Sequence, residues 1–165
     1  GPKDTMLGAV MEIPQKILDE ILSHGEAEAP REACGLLSGP TSGPVTRALP
    51  VANIQDQKHQ EDPQAHPRTA HEAYFMDPTA QVQALQGIEE AGEVLRGIYH
   101  SHVDGTPDFS AEDRRRALLL GRPAFPEAWY LVVDIRQGKA HGVQAFAWSD
   151  AEDDFIASPL GDPIP

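Results

Sequence analysis

Two histidines one residue apart, His100 and His102, stand in the polar run Tyr99-His100-Ser101-His102-Val103-Asp104-Gly105-Thr106-Pro107-Asp108-Phe109-Ser110-Ala111-Glu112-Asp113. Side chains alternate faces along a strand, so both imidazoles project to one side and can share an ion at the strand's end. Asp113, eleven residues after His102, falls in the first turn of a following helix, where the helix dipole also favours a carboxylate. Two histidines and a carboxylate leave a tetrahedral zinc ion one open position for water. That water's pKa falls to about 7, and its proton then needs a nearby base. Each piece also has a plainer account. A His-x-His pair is often an exposed strand end, and Ser110-x-x-Asp113 matches a helix capping box made of local hydrogen bonds. Only the conjunction points to a metal.

Other reactive types are placed less tellingly. Cys34 is the single cysteine; it excludes an internal disulfide and a thiolate zinc cluster, and its apolar neighbours suit a buried, inert thiol better than a thiol hydrolase. His59, His66 and His71 lie in a polar stretch without a partner motif and read as solvated. Arg114-Arg115-Arg116 opens a helix and reads as a solvated face before a substrate clamp.

The elements that must position these groups follow from patterning. Apolar residues at 13, 17, 18, 21 and 22 mark a helix, with Pro14 suited to its first turn and Gly25 to its stop. Ala33 to Ser38 and Val45 to Val51 form a hairpin about the loose turn Gly39-Pro40-Thr41-Ser42-Gly43. Gln55 to His71 has almost no large apolar residue and is expected as an exposed, moving loop. Asp77-Pro78 caps a helix through about Glu90. Strands are expected over Val94 to His102, Trp129 to Ile135 and Ala140 to Trp148, and a helix over Ser110 to Leu120. The expected fold is α/β (α+β), a single domain whose curved mixed sheet is flanked by helices. Residues 1–11 form an N-terminal tail in which Gly1-Pro2 reads as a tag-cleavage scar, 12–148 the domain, and 149–165 a frayed acidic tail broken by prolines.

The 165 residues fit one core. Hydrophobic residues at 40% and charged residues at 24% exclude a wholly disordered or collagenous chain. Thirteen Lys and Arg against 26 Asp and Glu, a net charge of −13, oppose partners held through neutralised phosphates, so nucleic acid and anionic membrane are poor candidates. No run reaches the ~18 apolar residues of a membrane span and no signal peptide is evident, which makes a cytoplasmic location the expectation.

The spacing of His100-Ser101-His102, the seven residues Val103 to Phe109, and Ser110-x-x-Asp113 resembles the signature of the JAMM metallopeptidases, also called the MPN+ domain. Arg31-Glu32-Ala33-Cys34-Gly35-Leu36-Leu37-Ser38-Gly39 is similar to the Glu-bearing strand start of the small prokaryotic members. Tyr74-Phe75-Met76-Asp77-Pro78 and Tyr130-Leu131-Val132-Val133-Asp134 extend the likeness over about residues 12 to 148. Val103 departs from the family's usual proline, which bears on the rigidity of the loop after the second ligand.

The resemblance implies one zinc ion (Zn2+) per chain on His100, His102 and Asp113. It also implies Glu32 as general acid/base and Ser110 as a helper that steadies the oxyanion. The implied activity is that of a peptidase or isopeptidase cutting after the C-terminal Gly-Gly of a ubiquitin-like or sulfur-carrier β-grasp protein. The short link from Asp113 to Trp129 leaves little room for the specificity insertion of some larger relatives. Two other readings stay open. His100-x-His102-x-Asp104 resembles the start of the metallo-β-lactamase-like motif but meets Gly105 where the next His belongs, and a non-catalytic MPN-like scaffold would bind partners without metal.

Overall fold

A computed structural model describes residues 10–165. The first helix, α1 (Gln15–Glu28), is followed by the antiparallel pair β1 (Cys34–Gly39) and β2 (Arg47–Val51), then α2 (Gln55–Glu61) and α3 (Pro78–Glu90). Next come β3 (Val94–Val103), α4 (Ala111–Ala117), and the short strands β4 (Leu118–Leu119) and β5 (Arg122–Pro123). Then β6 (Trp129–Arg136), β7 (Lys139–Ser149) and β8 (Asp154–Ala157) complete the chain. Six strands form one mixed sheet in the order β2-β1-β3-β6-β7-β8, with β3 and β6 parallel and the other neighbours antiparallel. The result is the single α+β domain that the patterning predicts.

Alternation along the central strands sorts the core into two layers. Leu37, Tyr99, Leu131, Val133 and Ile135 pack with Ile13, Ile17 and Ile21 of the α1 side. Cys34, Leu36, Ile98, Tyr130 and Val132 pack on the opposite face with Tyr74, Met76, Ile88, Phe109 and Ala117. His100 and His102 belong to the row of Ile98 and therefore emerge on this second face, where the sheet meets α3 and α4.

Four expectations are corrected. Pro14 is the N-cap of α1, and the helix continues past Gly25 to Glu28. Gly25 is buried against β6, where a Cβ would stand 3.0 Å from Ile135 Cδ1; the close approach outweighs the ~1 kcal/mol helix penalty of glycine. The helix expected over Ser110 to Leu120 stops at Ala117, and the link beyond it folds into the β4–β5 hairpin with Leu120 and Gly121 at positive φ. The stretch from Gln55 to His71 is not a free loop. It contains α2, and fully buried Gln55 donates to the Arg68 carbonyl at 2.9 Å and accepts from Arg116 Nη2 at 2.8 Å. A polar side chain thus does the anchoring that apolar residues usually do.

The acidic tail is also not frayed. Residues 154–157 pair with β7 as β8, and Phe155 packs 5.0 Å from Phe109 and 5.3 Å from Tyr130 by ring centroids. Leu160 and Ile164 then form bridges with Met11 and Pro14. Prolines are compatible with an edge position, where no ladder donor is needed. The expected N-terminal tail lies mostly outside the described residues. Among the described residues no helix is long and apolar enough to cross a membrane.

Candidate metal centre

The first strand of the site is β3, and its far end carries the histidines. His100 is fully buried, and the Tyr74 ring stacks on it at 4.7 Å with 29° between planes. His102 is partly exposed, and its Nδ1 lies 2.8 Å from the Thr106 carbonyl. A carbonyl only accepts, so that nitrogen carries the hydrogen and Nε2 is left to face inward. The two Nε2 atoms are 3.1 Å apart.

Asp113 closes the triangle. Its Oδ1 is 3.1 Å from His100 Nε2 and its Oδ2 is 3.0 Å from His102 Nε2. Ser110 is the N-cap of α4: its Oγ accepts from the Asp113 amide at 3.1 Å, while its own amide donates to Asp113 Oδ2 at 3.0 Å. The capping box and the ligand reading are therefore the same object, because the box aims the carboxylate at the histidines. Phe109, buried among Tyr130, Phe146 and Phe155, fixes the start of that helix from below.

The electrostatics of the triangle favour positive charge beside the Asp113 carboxylate. Burial alone would raise the Asp113 carboxyl, yet the charge and hydrogen bonds of His100 and His102 hold it well below the usual carboxylate range. Burial lowers His102, but hydrogen bonds to Asp113 and Thr106 and the nearby charges of Asp113 and Glu32 carry it up to about 9. A positive charge is favoured where the three groups meet. One ligand atom from each of His100, His102 and Asp113 lies within 4.8 Å of the others. Two imidazole nitrogens and a carboxylate oxygen form a donor set that fits a divalent ion such as zinc. The triad is consistent with a metal site.

Glu32 precedes β1 and lies across from His102. Cys34 pairs with His100, and Ala33 and Ser101 bond twice, through Ala33 N to Ser101 Oγ at 2.7 Å and Ser101 N to Ala33 O at 3.0 Å. The Glu32 amide donates to the Ala70 carbonyl at 2.7 Å, and its carbonyl accepts from Asn53 Nδ2 at 2.8 Å. Its side chain is buried and Oε1 has no hydrogen-bond partner within the protein. Burial pushes the carboxyl up to about 8, against the pull of His102 and with the repulsion of Asp113. A buried carboxyl oxygen without a partner, near the three converging ligand atoms, is open to a group that the protein itself does not supply.

Other candidates fall away from this centre. Asp104 has positive φ, is exposed, and its Oδ1 accepts from the Gln137 amide at 2.8 Å, so the β-lactamase-like ligand set is not assembled. The buried Cys34 thiol donates to the Val51 carbonyl at 3.4 Å and is pushed up to about 12 by burial and by the charges of Glu32 and Glu28. His59 bonds the His66 carbonyl, His66 packs edge-on against Phe75, and His71 is exposed. The three arginines are all paired: Arg114 with Asp154, Arg115 and Arg116 with Glu112.

Four contributors carry no motif of their own. Tyr74 and the Thr106 carbonyl orient the two histidines, and Asn53 with Gln55 holds the segment against which Glu32 is placed. Only the Tyr74 region carried a signal, as part of the family likeness. The rest act through backbone groups or amides that no motif marks.

With this geometry, similarity to known proteins becomes specific. Residues 14–149 match the family model described as prokaryotic homologs of the JAB domain. The chain is 41% identical to the desampylase of Haloferax volcanii over 108 residues, 62% of this chain and 69% of the relative. It is 26% identical to the CysO-cysteine peptidase of Mycobacterium tuberculosis over 138 residues, covering 83% and 82%. The solution structure of a protein from Desulfitobacterium hafniense superposes with a TM-score of 0.66 at 26% identity, over 94% of this chain and 95% of that one. The sequence signature, the sheet that presents it and these similarities agree, and the chain belongs to the prokaryotic JAB-domain family, also known as JAMM or MPN.

Proposed function

We propose that this JAMM-type peptidase hydrolyses the amide bond after the C-terminal Gly-Gly of a ubiquitin-like or sulfur-carrier β-grasp protein, with one zinc ion held by His100, His102 and Asp113. The observation that carries the reading is the buried, unpartnered Glu32 Oε1, poised at about 8 beside the three converging ligand atoms. A bound zinc ion would supply Lewis-acid polarisation of the scissile carbonyl and acidify a water. Glu32 takes the proton at Oε1 as water adds to the carbonyl carbon, and returns it to the amine as the C–N bond breaks. A group held near neutrality can do both, since neither protonation state is deeply favoured. The Ser110 oxygen is engaged with the Asp113 amide, which leaves its hydroxyl hydrogen free to donate to the developing oxyanion. The Tyr74 ring fixes the plane of His100 throughout.

The substrate part of the proposal draws on the relatives named above, a desampylase and a CysO-cysteine peptidase. An extended, small-residue tail also suits a centre at a strand end, because it can add main-chain hydrogen bonds and pass close to the ligands. We place the protein in the cytoplasm, in keeping with a chain whose single cysteine builds no disulfide framework. The test presents zinc-loaded protein with β-grasp candidates fused through Gly-Gly to a short peptide, together with Gly→Leu tail variants, and follows product masses. Cleavage after Gly-Gly with loss in the Leu variants is expected. Equal cleavage of both rejects a narrow tail channel, and no cleavage of any candidate returns weight to a binding scaffold.

A further inference from the structure

Glu32, His100, His102 and Asp113 come from separate stretches of chain, and one side chain touches the supports of three of them. Arg116 lies three residues after Asp113 on α4, so the two are neighbours on one face of that helix. Its side chain is 20% exposed where that of Arg115 is 69% exposed, so Arg114-Arg115-Arg116 is not one solvated face. The guanidinium is held in two directions. Nε donates to Glu112 Oε1 at 3.1 Å and Nη2 to Gln55 Oε1 at 2.8 Å.

From Gln55 the connection continues to the general base. The Gln55 amide donates to Asn53 Oδ1 at 3.0 Å, and Asn53 Nδ2 donates to the Glu32 carbonyl at 2.8 Å. Hydrogen bonds thus run without a gap from the helix of Asp113 to the residue with the orphaned carboxyl oxygen. On its face, the guanidinium carbon stands 6.0 Å from the centre of the Tyr74 ring and 5.5 Å from that of Phe75. Tyr74 is the ring that stacks on His100. The charge of Arg116 also acts on the Glu32 carboxyl, against the upward push of burial. His102 alone is held otherwise, through the Thr106 carbonyl.

We infer that Arg116 is a positioning residue for the hydrolysis, setting Glu32 and His100 relative to the Asp113 carboxylate. The inference rests on the peptidase reading of the centre. An arginine is required for a geometric reason: its planar fork donates in two directions while its face lies against a ring, which a lysine ammonium cannot do. It acts through Gln55 and Tyr74 and not on substrate. Without it every reacting group remains, but their mutual placement loosens, and a misplacement of about 1 Å can cost about a hundredfold in rate.

Arg116→Lys keeps the charge and loses the fork, Arg116→Gln loses both, and Gln55→Ala cuts the same bridge from its other end. On a β-grasp protein fused through Gly-Gly to a short peptide, both Arg116 variants should lose about tenfold or more in kcat, with KM within about twofold and one zinc retained per chain. The Arg116→Gln, Gln55→Ala double variant should lose no more than the worse single one, as for two ends of one connection. Independently, the imidazole NMR signals of the zinc-free proteins are compared. The His100 signals should shift in both Arg116 variants and those of His102 should not, a difference that a general loss of stability does not produce. Should Arg116→Gln fail to fold, Arg116→Lys carries both measurements. An unchanged kcat overturns the inference, and so does a His100 signal that stays in place or moves no more than that of His102. Full activity in Arg116→Lys beside a loss in Arg116→Gln overturns it too, since charge alone would then suffice. A wild type that cleaves nothing rejects the peptidase reading instead, and the NMR comparison still decides whether Arg116 sets the His100 ring.

Discussion

Replacing Glu32 by Gln separates chemistry from stability in a way that only a buried, proton-holding carboxyl can produce. The substitution preserves shape and hydrogen-bonding capacity but cannot accept a proton, so peptidase activity should fall about a hundredfold or more, with zinc content unchanged. Stability should move the other way. The folded protein holds the Glu32 carboxyl up at about 8 against an ordinary 4.5. Below pH 4.5 the group is neutral in both states and costs nothing on that account. As pH rises from 4.5 to 8 the unfolded chain releases its proton while the folded one retains it, so stability is progressively lost, and above 8 the full penalty remains. At ~1.4 kcal/mol per pH decade the upper bound is ~5 kcal/mol.

Glutamine has no such titration. Metal-free Glu32→Gln should therefore gain on metal-free wild type as pH rises from about 5 to about 8, by several degrees in Tm at ~2–4 °C per kcal/mol for a chain of this size. A bound divalent ion favours the carboxylate, so zinc should narrow the gap. Thermal denaturation of both proteins with and without chelator, across about pH 4.5 to 8.5, measures this. Parallel Tm curves for the two metal-free proteins would refute the buried-carboxyl argument, and a fully active Glu32→Gln would refute its catalytic role.

Asp113→Ala should lose zinc by metal analysis while Asp104→Ala keeps it, since only Asp113 meets both histidines; the reverse would revive the β-lactamase-like assignment. Cys34→Ala should remain active, and a dead variant beside a normal Glu32→Gln would restore a thiol mechanism. Gln55→Ala removes the buried amide that joins Arg68 and Arg116 and should cost about 1–3 kcal/mol. Hydrogen exchange should then rise over residues 55–71, with activity lowered and metal retained. Phe155→Ala should cost about 3–5 kcal/mol in denaturant unfolding, because the ring packs against Phe109, Tyr130 and Trp148; a loss under ~1 kcal/mol would mean that β8 is dispensable.

The sequence by itself determined the elements whose signals are local. The Asp77-Pro78 cap, the apolar run of β6 and the alternation of β3 each depend on neighbours in the chain, and the same alternation put His100 and His102 on one side. The Ser110-x-x-Asp113 spacing likewise specified a capping box, and with it where the Asp113 carboxylate points. Tertiary structure decided what depends on distant partners. Gly25 stays helical because β6 leaves no space for a side chain there. Residues 55–71 are ordered because a buried glutamine finds Arg68 and Arg116, and the acidic tail pairs because β7 offers a free edge. Glu32 acquires its raised pKa only when the sheet buries it opposite His102. Burial, edge availability and dielectric are properties of the assembled layers, and no window of sequence contains them.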